Sequence, residues 1–164
     1  MMLEHGTSVA ADNAGAAGAH APQSAPRLLV IDDDHLHRLV ICRIAAKAGY
    51  LPTEAASYEE AAKLAREAAF DCITLDLSLG EHAGVEVLRH LWSLGCKTPI
   101  IIISGCDPTI AQETAHFARS LKLNVGEPVP KPVDLALLRY SLERLRAQRE
   151  DLAAAHDVIQ PHAA

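Results

Sequence analysis

The chain has 164 residues, of which 49% are hydrophobic and 22% are charged, and these values suit a single globular domain. Its net charge of −6 at pH 7 argues against nucleic acid as a partner, because proteins that bind nucleic acids usually carry a basic surface. No apolar run approaches the roughly 18 residues of a membrane span, so membrane insertion is not expected.

Two features of the sequence bear on where the protein works. Residues 1–26 are rich in alanine and glycine and lack both a basic start and a continuous apolar segment, so they predict a disordered tail rather than a signal peptide. The four cysteines are widely spaced and form no Cys-x-x-Cys pair, which indicates neither a zinc site nor a redox motif. We therefore expect a reducing, cytoplasmic location.

From Arg27 onward, five short apolar runs alternate with five longer segments of helical periodicity. This alternation is typical of a parallel sheet covered by helices on both faces. We predict a doubly wound α/β fold with a five-stranded parallel sheet. Residues 27–149 should form this domain, and residues 150–164 should extend the last helix and end in a flexible tail.

The first predicted strand is Leu28–Ile31, and the helix after it should end at Gly49. This helix is expected to turn three apolar side chains inward: Leu36, Val40 and Ile44. The second strand, near residues 51–55, contains Pro52, which has no backbone N–H and therefore suits an edge strand. A capping box formed by Ser57 and Glu60 predicts the second helix over residues 58–69.

The third predicted strand is Cys72–Leu75, and the next helix should end near Gly95. Its inward side chains are expected to be Val85, Leu88, Leu91 and Trp92. The fourth strand, Ile100–Ile103, is apolar throughout, as a strand buried on both faces should be, and we expect it at the centre of the sheet.

The pair Asp107-Pro108 should begin a helix that ends at about residue 121. The fifth strand lies within residues 124–129. Asp134 caps the last helix, which has no Gly or Pro until Pro161 and can therefore continue past residue 149. One stripe of this helix carries Leu135, Leu138, Leu142 and Leu145.

Polar residues stand at the ends of four of these strands: Asp32, Asp33 and Asp34; Asp76; Ser104 and Gly105; and Lys131. In an open parallel α/β sheet, ligands bind outside the carboxyl ends of the strands, so these residues should meet in one pocket. Carboxylates brought to roughly 4 Å repel each other by about 4 kcal/mol per pair, so a cation is expected among them.

Oxygen ligands suit Mg²⁺, and the ammonium group of Lys131 suits a phosphate oxygen. Asp76 can then act as a nucleophile that accepts a phosphoryl group as an acyl phosphate. Each motif taken alone also fits an ordinary turn or helix cap, and it is their order along the sheet that favours one site. A metal-ligand role for His35 and His37 is not expected, because no further His or Cys has matching spacing.

These motifs resemble those of the receiver domains of two-component response regulators, over about residues 27–149. The resemblance implies a flavodoxin-like receiver topology, Asp76 as the phosphoacceptor with Gly84 eight positions later, and Lys131 and Ser104 as catalytic partners. It implies a Mg²⁺ site with four ligands: Asp32, Asp33, Asp76 and the backbone carbonyl of Ser78. It further implies that Arg38 places the acidic pair, that the Gly105 amide binds the phosphoryl group, and that the Lys131–Pro132 bond is cis.

The resemblance also implies a phosphoacceptor rather than a multiple-turnover enzyme. A histidine kinase or a histidine phosphotransfer protein would donate the phosphoryl group, and the change would alter a surface that binds a downstream protein. Because no output domain follows residue 149, we expect a stand-alone receiver. Two alternatives stay open: a pseudo-receiver that docks without phosphorylation, and a haloacid-dehalogenase-like phosphatase with Asp32 as nucleophile and Asp34 as acid.

Several positions depart from the pattern of the family. Gly80 replaces a proline that is usual four residues after the acceptor. Pro128 stands where many receivers carry a switch aromatic residue, and Val133 stands where Phe is common. The segment from Ser104 to Lys131 is also several residues longer than in chemotaxis-type receivers. The departures leave the site chemistry intact but bring an aromatic switch into question.

Overall fold

The computed structural model describes residues 24–80 and 82–159 of the chain. The strands are β1 (Arg27–Ile31), β2 (Leu51–Ala55), β3 (Cys72–Leu75), β4 (Ser78–Leu79), β5 (His82–Ala83), β6 (Ile100–Ser104) and β7 (Val129–Pro130). The helices are α1 (His35–Lys47), α2 (Tyr58–Glu67), α3 (Gly84–Ser93), α4 (Pro108–Ser120) and α5 (Leu135–Ile159). The prediction of a disordered tail falls largely on residues 1–23, and that of a flexible end partly on residues 160–164, which lie outside the described part.

Five strands form one parallel sheet in the order β2-β1-β3-β6-β7, which confirms the predicted doubly wound α/β fold. The strand that contains Pro52 lies at an edge, as expected. The prediction that Ile100–Ile103 is the central strand is wrong, because β3 occupies the centre and β6 lies beside it. Both strands are buried throughout, so apolar character alone could not rank them.

Two apolar clusters form the core, one on each face of the sheet. Successive residues of a strand point to opposite faces, so β1 sends Leu29 and Ile31 to one cluster and Leu28 and Val30 to the other. Helices α2, α3 and α4 cover the first cluster, and α1 and α5 cover the second. The sheet is therefore shielded on both faces, and its open ends are left for polar chemistry.

The inward face of α1 differs from the prediction. Ile44 is buried, but Leu36 is 68% exposed and Val40 is also exposed. The buried face instead carries Arg38, Ile41, Ile44 and Ala45. The reason is that the Arg38 side chain points inward and bonds the backbone at the end of β1, which turns Leu36 and Val40 outward.

Other side chains of the predicted stripes are also exposed. In α3, Leu88 and Leu91 are buried as predicted, whereas Trp92 is 54% exposed and Val85 is only partly buried. Val87 completes the buried face. In α5, Leu138 and Leu142 are fully buried whereas Leu135 is exposed. Helix α5 runs for 25 residues to Ile159. Within the described ranges, neither this helix nor any other combines the length and apolar character that crossing a membrane requires.

Candidate functional site

Three carboxylates meet at the carboxyl end of the sheet. Strands β1 and β3 are parallel neighbours in which Ile31 pairs with Leu75, so the residues that follow them, Asp32 and Asp76, emerge side by side. One oxygen from each of Asp32, Asp33 and Asp76 lies within 4.8 Å of the others. Asp32 and Asp76 are buried, whereas Asp33 is exposed. The predicted acidic cluster therefore has the geometry of a cation site.

A backbone amide orients each of these carboxylates. Asp32 Oδ1 accepts a 2.9 Å hydrogen bond from the Asp34 amide, and Asp76 Oδ1 accepts one of 3.1 Å from the Ser78 amide. Asp33 Oδ2 accepts a 3.0 Å bond from Gly80. Ser78 therefore lies beside the acceptor, while the predicted role of its carbonyl as a metal ligand stays a prediction.

Gly80 has a structural reason to replace the proline usual in the family. Its φ angle is +58°, and its N–H is the donor to Asp33. Proline has φ near −65° and no N–H, so it could supply neither feature at this position. The departure from the family pattern therefore adds a backbone contact to the acidic cluster.

Lys131 brings the positive charge that the cluster needs. Its Nζ lies 2.8 Å from Asp32 Oδ2 and 2.7 Å from Asp76 Oδ2. Burial alone would lower the pKa of Lys131, but the hydrogen bonds to Asp32 and Asp76, together with the negative charge of these carboxylates, outweigh burial and raise this pKa above its ordinary value of 10.5. The Lys131–Pro132 peptide bond is cis, as the family resemblance implies.

Ser104 and Gly105 complete the predicted set at the end of β6. The Ser104 side chain is buried, and its Oγ accepts a 3.2 Å hydrogen bond from the Cys106 amide. The Ser104 carbonyl accepts a 2.9 Å bond from the Lys131 amide, which joins the two strand ends. A Cβ atom on Gly105 would lie 3.8 Å from Lys131 Cβ, so this glycine lies against the lysine side chain.

Arg38 supports the acidic cluster from α1. One guanidinium nitrogen, Nη1, donates to the backbone carbonyls of Asp32 at 2.7 Å and Asp33 at 3.0 Å. Its Nε donates to Glu54 Oε2 at 3.0 Å. The arginine thus ties the end of β1 to the edge strand β2, in agreement with the prediction that it places the acidic pair.

Sequence reasoning missed two contacts at this site. Glu54 was not singled out, because its approach to Arg38 depends on the pairing of Val30 with Glu54 in the sheet, which no local pattern reveals. The position of His37 predicts a surface histidine at the start of a helix, yet its Nδ1 lies 3.0 Å from Lys131 Nζ. No local pattern reveals the second contact either, because the two residues lie 94 positions apart in the sequence.

Asp34 has a different role from the other two acids of its run. Its side chain accepts a 2.9 Å bond from the His37 amide and caps α1. This backbone hydrogen bond lowers the pKa of Asp34. Asp34 is therefore a cap rather than a member of the cluster, and the phosphatase hypothesis, which needs it as an acid, loses support.

Comparison with known proteins gives consistent matches. Residues 28–143 match the family described as response regulator receiver domain. The transcriptional regulatory protein ZraR of Salmonella typhimurium is 28% identical over 127 residues, which cover 77% of this chain and 28% of that protein. The chain thus spans little more than a quarter of this curated relative.

Two solved structures are similar over most of the chain. A response regulator from Colwellia psychrerythraea is 26% identical, with a TM-score of 0.66, over 76% of this chain and 99% of the other. A response regulator from Burkholderia pseudomallei, solved with a phosphorylated aspartic acid, a calcium ion and citrate, is 25% identical. Its TM-score is 0.60, over 85% of this chain and 77% of the other.

Proposed function

Because the chain belongs to the response regulator receiver domain family, we propose that Asp76 accepts a phosphoryl group from a phosphohistidine donor and that this event alters a protein-binding surface. The observation that carries the proposal is the contact set of Asp76. Its carboxylate lies at the carboxyl end of the sheet, accepts a 2.7 Å hydrogen bond from Lys131 Nζ, and has carboxylate oxygens of Asp32 and Asp33 within 4.8 Å.

The acidic cluster fits a magnesium ion. The three converging carboxylates supply the oxygen atoms that Mg²⁺ prefers, and their mutual repulsion favours a bound cation. Asp32, Asp33 and Asp76 would hold the ion, and the Ser78 carbonyl is proposed as a further ligand. Bound there, Mg²⁺ would offset negative charge on the carboxylates and on the phosphoryl oxygens. The related Burkholderia structure holds a calcium ion together with its phosphorylated aspartic acid.

The transfer itself needs a carboxylate oxygen of Asp76 with a lone pair that can reach phosphorus, and a stabilised phosphoryl group. An oxygen of Asp76 forms a bond to phosphorus, the bond between phosphorus and the donor imidazole nitrogen breaks, and the electron pair stays on that nitrogen. Lys131 is already within hydrogen-bond distance of Asp76 and can turn an N–H toward a phosphoryl oxygen. Each acceptor takes one phosphoryl group, so the reaction is stoichiometric rather than multiple-turnover.

Ser104 and Gly105 are proposed to bind the phosphoryl group once it is attached. A phosphorylated side chain carries about −1.5 to −2 charges and strong acceptor oxygens, which attract hydroxyl and amide donors. In the unphosphorylated protein, Ser104 Oγ accepts a hydrogen bond from the Cys106 amide. If the hydroxyl turned toward the phosphoryl group, this bond would break and the loop that leads into α4 would shift. This loop is the element whose position would report the phosphorylation state.

Histidine kinases phosphorylate receiver domains as a class, and we propose such a kinase or a histidine phosphotransfer protein as the partner of this chain. The downstream partner is proposed to be another protein rather than DNA, since the net charge is −6. The four cysteines are free thiols, in keeping with a cytoplasmic location.

The proposed function is tested by intact-mass measurement after incubation with acetyl phosphate and Mg²⁺. We expect the wild type to gain one base-labile phosphoryl group and Asp76→Asn to gain none. Asp107→Asn is the matched control, because Asp107 also follows a strand end but caps α4, and it should gain the group as the wild type does. A wild type that stays unmodified, or an Asp76→Asn variant that still gains the group, would contradict the proposal.

A further inference from the structure

Three side-chain acceptors surround the ammonium group of Lys131. Besides Asp32 Oδ2 at 2.8 Å and Asp76 Oδ2 at 2.7 Å, His37 Nδ1 lies 3.0 Å from Nζ. These acceptors come from the end of β1, the end of β3 and the first turn of α1. A lysine ammonium has three N–H donors and no acceptor, so these contacts can engage all of its protons.

The direction of the third contact follows from the chemistry of the two groups. Because an ammonium group cannot accept a hydrogen bond, a hydrogen bond between these atoms requires Nδ1 of His37 as the acceptor and the ring proton on Nε2. A neutral imidazole therefore adds a third point of attachment without adding a third negative charge. It can orient Lys131 while leaving the positive charge available to an anionic donor.

This difference matters because a lysine side chain has four flexible methylene groups and ends in a point charge. With hydrogen bonds to two carboxylates alone, the ammonium group could still rotate about the axis through the two acceptor oxygens. The acceptor oxygen of Asp76 also loses its negative charge when it bonds to phosphorus, which weakens one of those two contacts. A neutral acceptor on α1 is unaffected by that change and can keep Nζ in place.

We propose that His37 is a positioning residue that holds the Lys131 ammonium group against Asp76 during phosphoryl transfer, an inference that rests on the proposed function of Asp76. In the step with acetyl phosphate, an Asp76 oxygen bonds to phosphorus, the bond from phosphorus to the acetate oxygen breaks, and the electron pair leaves with acetate. His37 exchanges no proton in this step and acts only through Lys131.

Two substitutions separate the position of the acceptor from the presence of a polar side chain. In Asn, the amide oxygen is attached to Cγ, as Nδ1 is in His, so His37→Asn can restore an acceptor at the same place. In Gln, the amide lies one bond further out, near the position of Nε2. His37→Leu removes the acceptor and keeps an apolar side chain of similar reach. His35→Leu is the matched control, since His35 is also exposed on the first turn of α1.

The measurement is the rate of phosphorylation by acetyl phosphate in saturating Mg²⁺, over a range of donor concentrations. We expect His37→Leu and His37→Gln to lower the maximal rate about three- to tenfold, the size of one hydrogen bond to a charged donor at a half-exposed site. His37→Asn should stay within about twofold of the wild type, and His35→Leu should match it. The donor concentration at half-maximal rate should change little, because the contact orients a group instead of recruiting the donor.

The outcomes distinguish this inference from the proposed function. A wild type that is phosphorylated while His37→Leu keeps the full maximal rate would overturn the inference and leave the function of Asp76 standing. Equal losses in the Asn and Gln variants would also overturn it, because a position-specific acceptor predicts different losses. A wild type that is never phosphorylated would remove both.

A second readout does not depend on phosphorylation. We expect nitrogen-15 spectra of the neutral imidazole of His37 to show the proton on Nε2 and a hydrogen-bonded Nδ1, and Lys131→Met to shift the Nδ1 resonance to that of a histidine without this contact. Finding the proton on Nδ1 in the wild type would contradict the contact on which the inference stands. Thermal unfolding of each variant should match the wild type closely, because the His37 side chain is half-exposed.

Discussion

The Arg38 guanidinium donates a 2.7 Å hydrogen bond to the backbone carbonyl of Asp32, so a buried helix side chain holds the strand end that carries the first acid. The same nitrogen bonds the Asp33 carbonyl, and Nε bonds the carboxylate of Glu54. Two backbone carbonyls and one carboxylate therefore converge on a single cation. Loss of the Arg38 side chain should therefore alter both the fold and the proposed metal site.

We expect Arg38→Met to lower the free energy of unfolding by about 2 kcal/mol, because it leaves the buried Asp32 carbonyl and the partly buried Asp33 carbonyl without their donor. It should also weaken Mg²⁺ binding several-fold, because Asp32 and Asp33 lose their support. Arg43→Met, an exposed change on the same helix, is the control and should alter neither quantity. Chemical denaturation and calorimetric Mg²⁺ titration measure the two effects, and a variant with unchanged Mg²⁺ affinity would contradict this account.

Gly84 begins α3 in close contact with the backbone that follows the acceptor. A Cβ atom there would lie 2.7 Å from Leu77 Cα and 2.8 Å from the Asp76 carbonyl oxygen, distances that force the backbone to move. We expect Gly84→Ala to destabilise the fold by about 1 to 3 kcal/mol and to slow phosphorylation of Asp76. Gly126→Ala is the matched control, since a Cβ at Gly126 meets nothing within 4 Å. Equal melting temperatures for the two variants would refute the prediction.

Much of the fold follows from local sequence patterns. The apolar runs and the capping residues Ser57, Asp107 and Asp134 act over a few residues, so they predict where elements begin. The convergence of the polar strand ends then follows from parallel topology alone. For that reason the acids and Lys131 could be grouped into one site before any distance was known.

The remaining features depend on long-range pairing that local patterns do not contain. Helix α1 buries a different face from the predicted one because Arg38 bonds the backbone at the end of β1. Hydrophobic periodicity cannot predict this contact, since it assigns charged residues to the exposed face. The proximity of Glu54 to Arg38 needs the register of β2 against β1. The order of the strands also could not be predicted locally, because packing across the whole sheet decides that β6 lies between β3 and the short β7.

Arg119 of α4 ties the helix to the segment before β7. Its guanidinium donates to the carbonyls of Val125 at 3.0 Å and Gly126 at 2.9 Å, and it forms a 2.9 Å ion pair with Glu127. We expect Arg119→Met to cost about 1 kcal/mol and to speed amide hydrogen exchange over residues 123–129.

The exposed Arg139–Glu143 pair of α5 supplies the control for this prediction. Arg139→Met removes an ion pair of similar length but no contact with a loop carbonyl, so it should cost less than 0.5 kcal/mol, as is common for exposed pairs about one helical turn apart. In Arg139→Met, the amide hydrogen-exchange rates of residues 123–129 should match those of the wild type. Exchange rates that rise equally in both variants would show that the loop does not depend on Arg119.

The buried thiol of Cys72 and the half-buried thiol of Cys42 predict a loss of stability at alkaline pH. Burial raises the pKa of Cys72 from 9.0 to about 12 and that of Cys42 to about 11. Above pH 9 the unfolded chain releases these protons while the folded chain keeps them, so the free energy of unfolding falls as pH rises toward the folded pKa values. We expect Cys72→Val to recover about 1 kcal/mol of this loss at pH 10, relative to its own value at pH 7. Urea denaturation at the two pH values provides the test, and an identical pH dependence in the variant would contradict it.

Lys131 and a bound cation should compete electrostatically for the same carboxylates. Without magnesium, Lys131→Met leaves Asp32 and Asp76 with no ammonium partner, so we expect the free energy of unfolding to fall by about 1 to 3 kcal/mol. With saturating Mg²⁺ the deficit should shrink, because the ion replaces the lost charge and binds more tightly where no ammonium group repels it. Denaturation with EDTA and with Mg²⁺ measures both states, and Lys97→Met, a change at an exposed lysine, should respond to Mg²⁺ as the wild type does. If Mg²⁺ stabilised Lys131→Met less than the wild type, the ion and the ammonium group would be acting together instead of competing for Asp32 and Asp76.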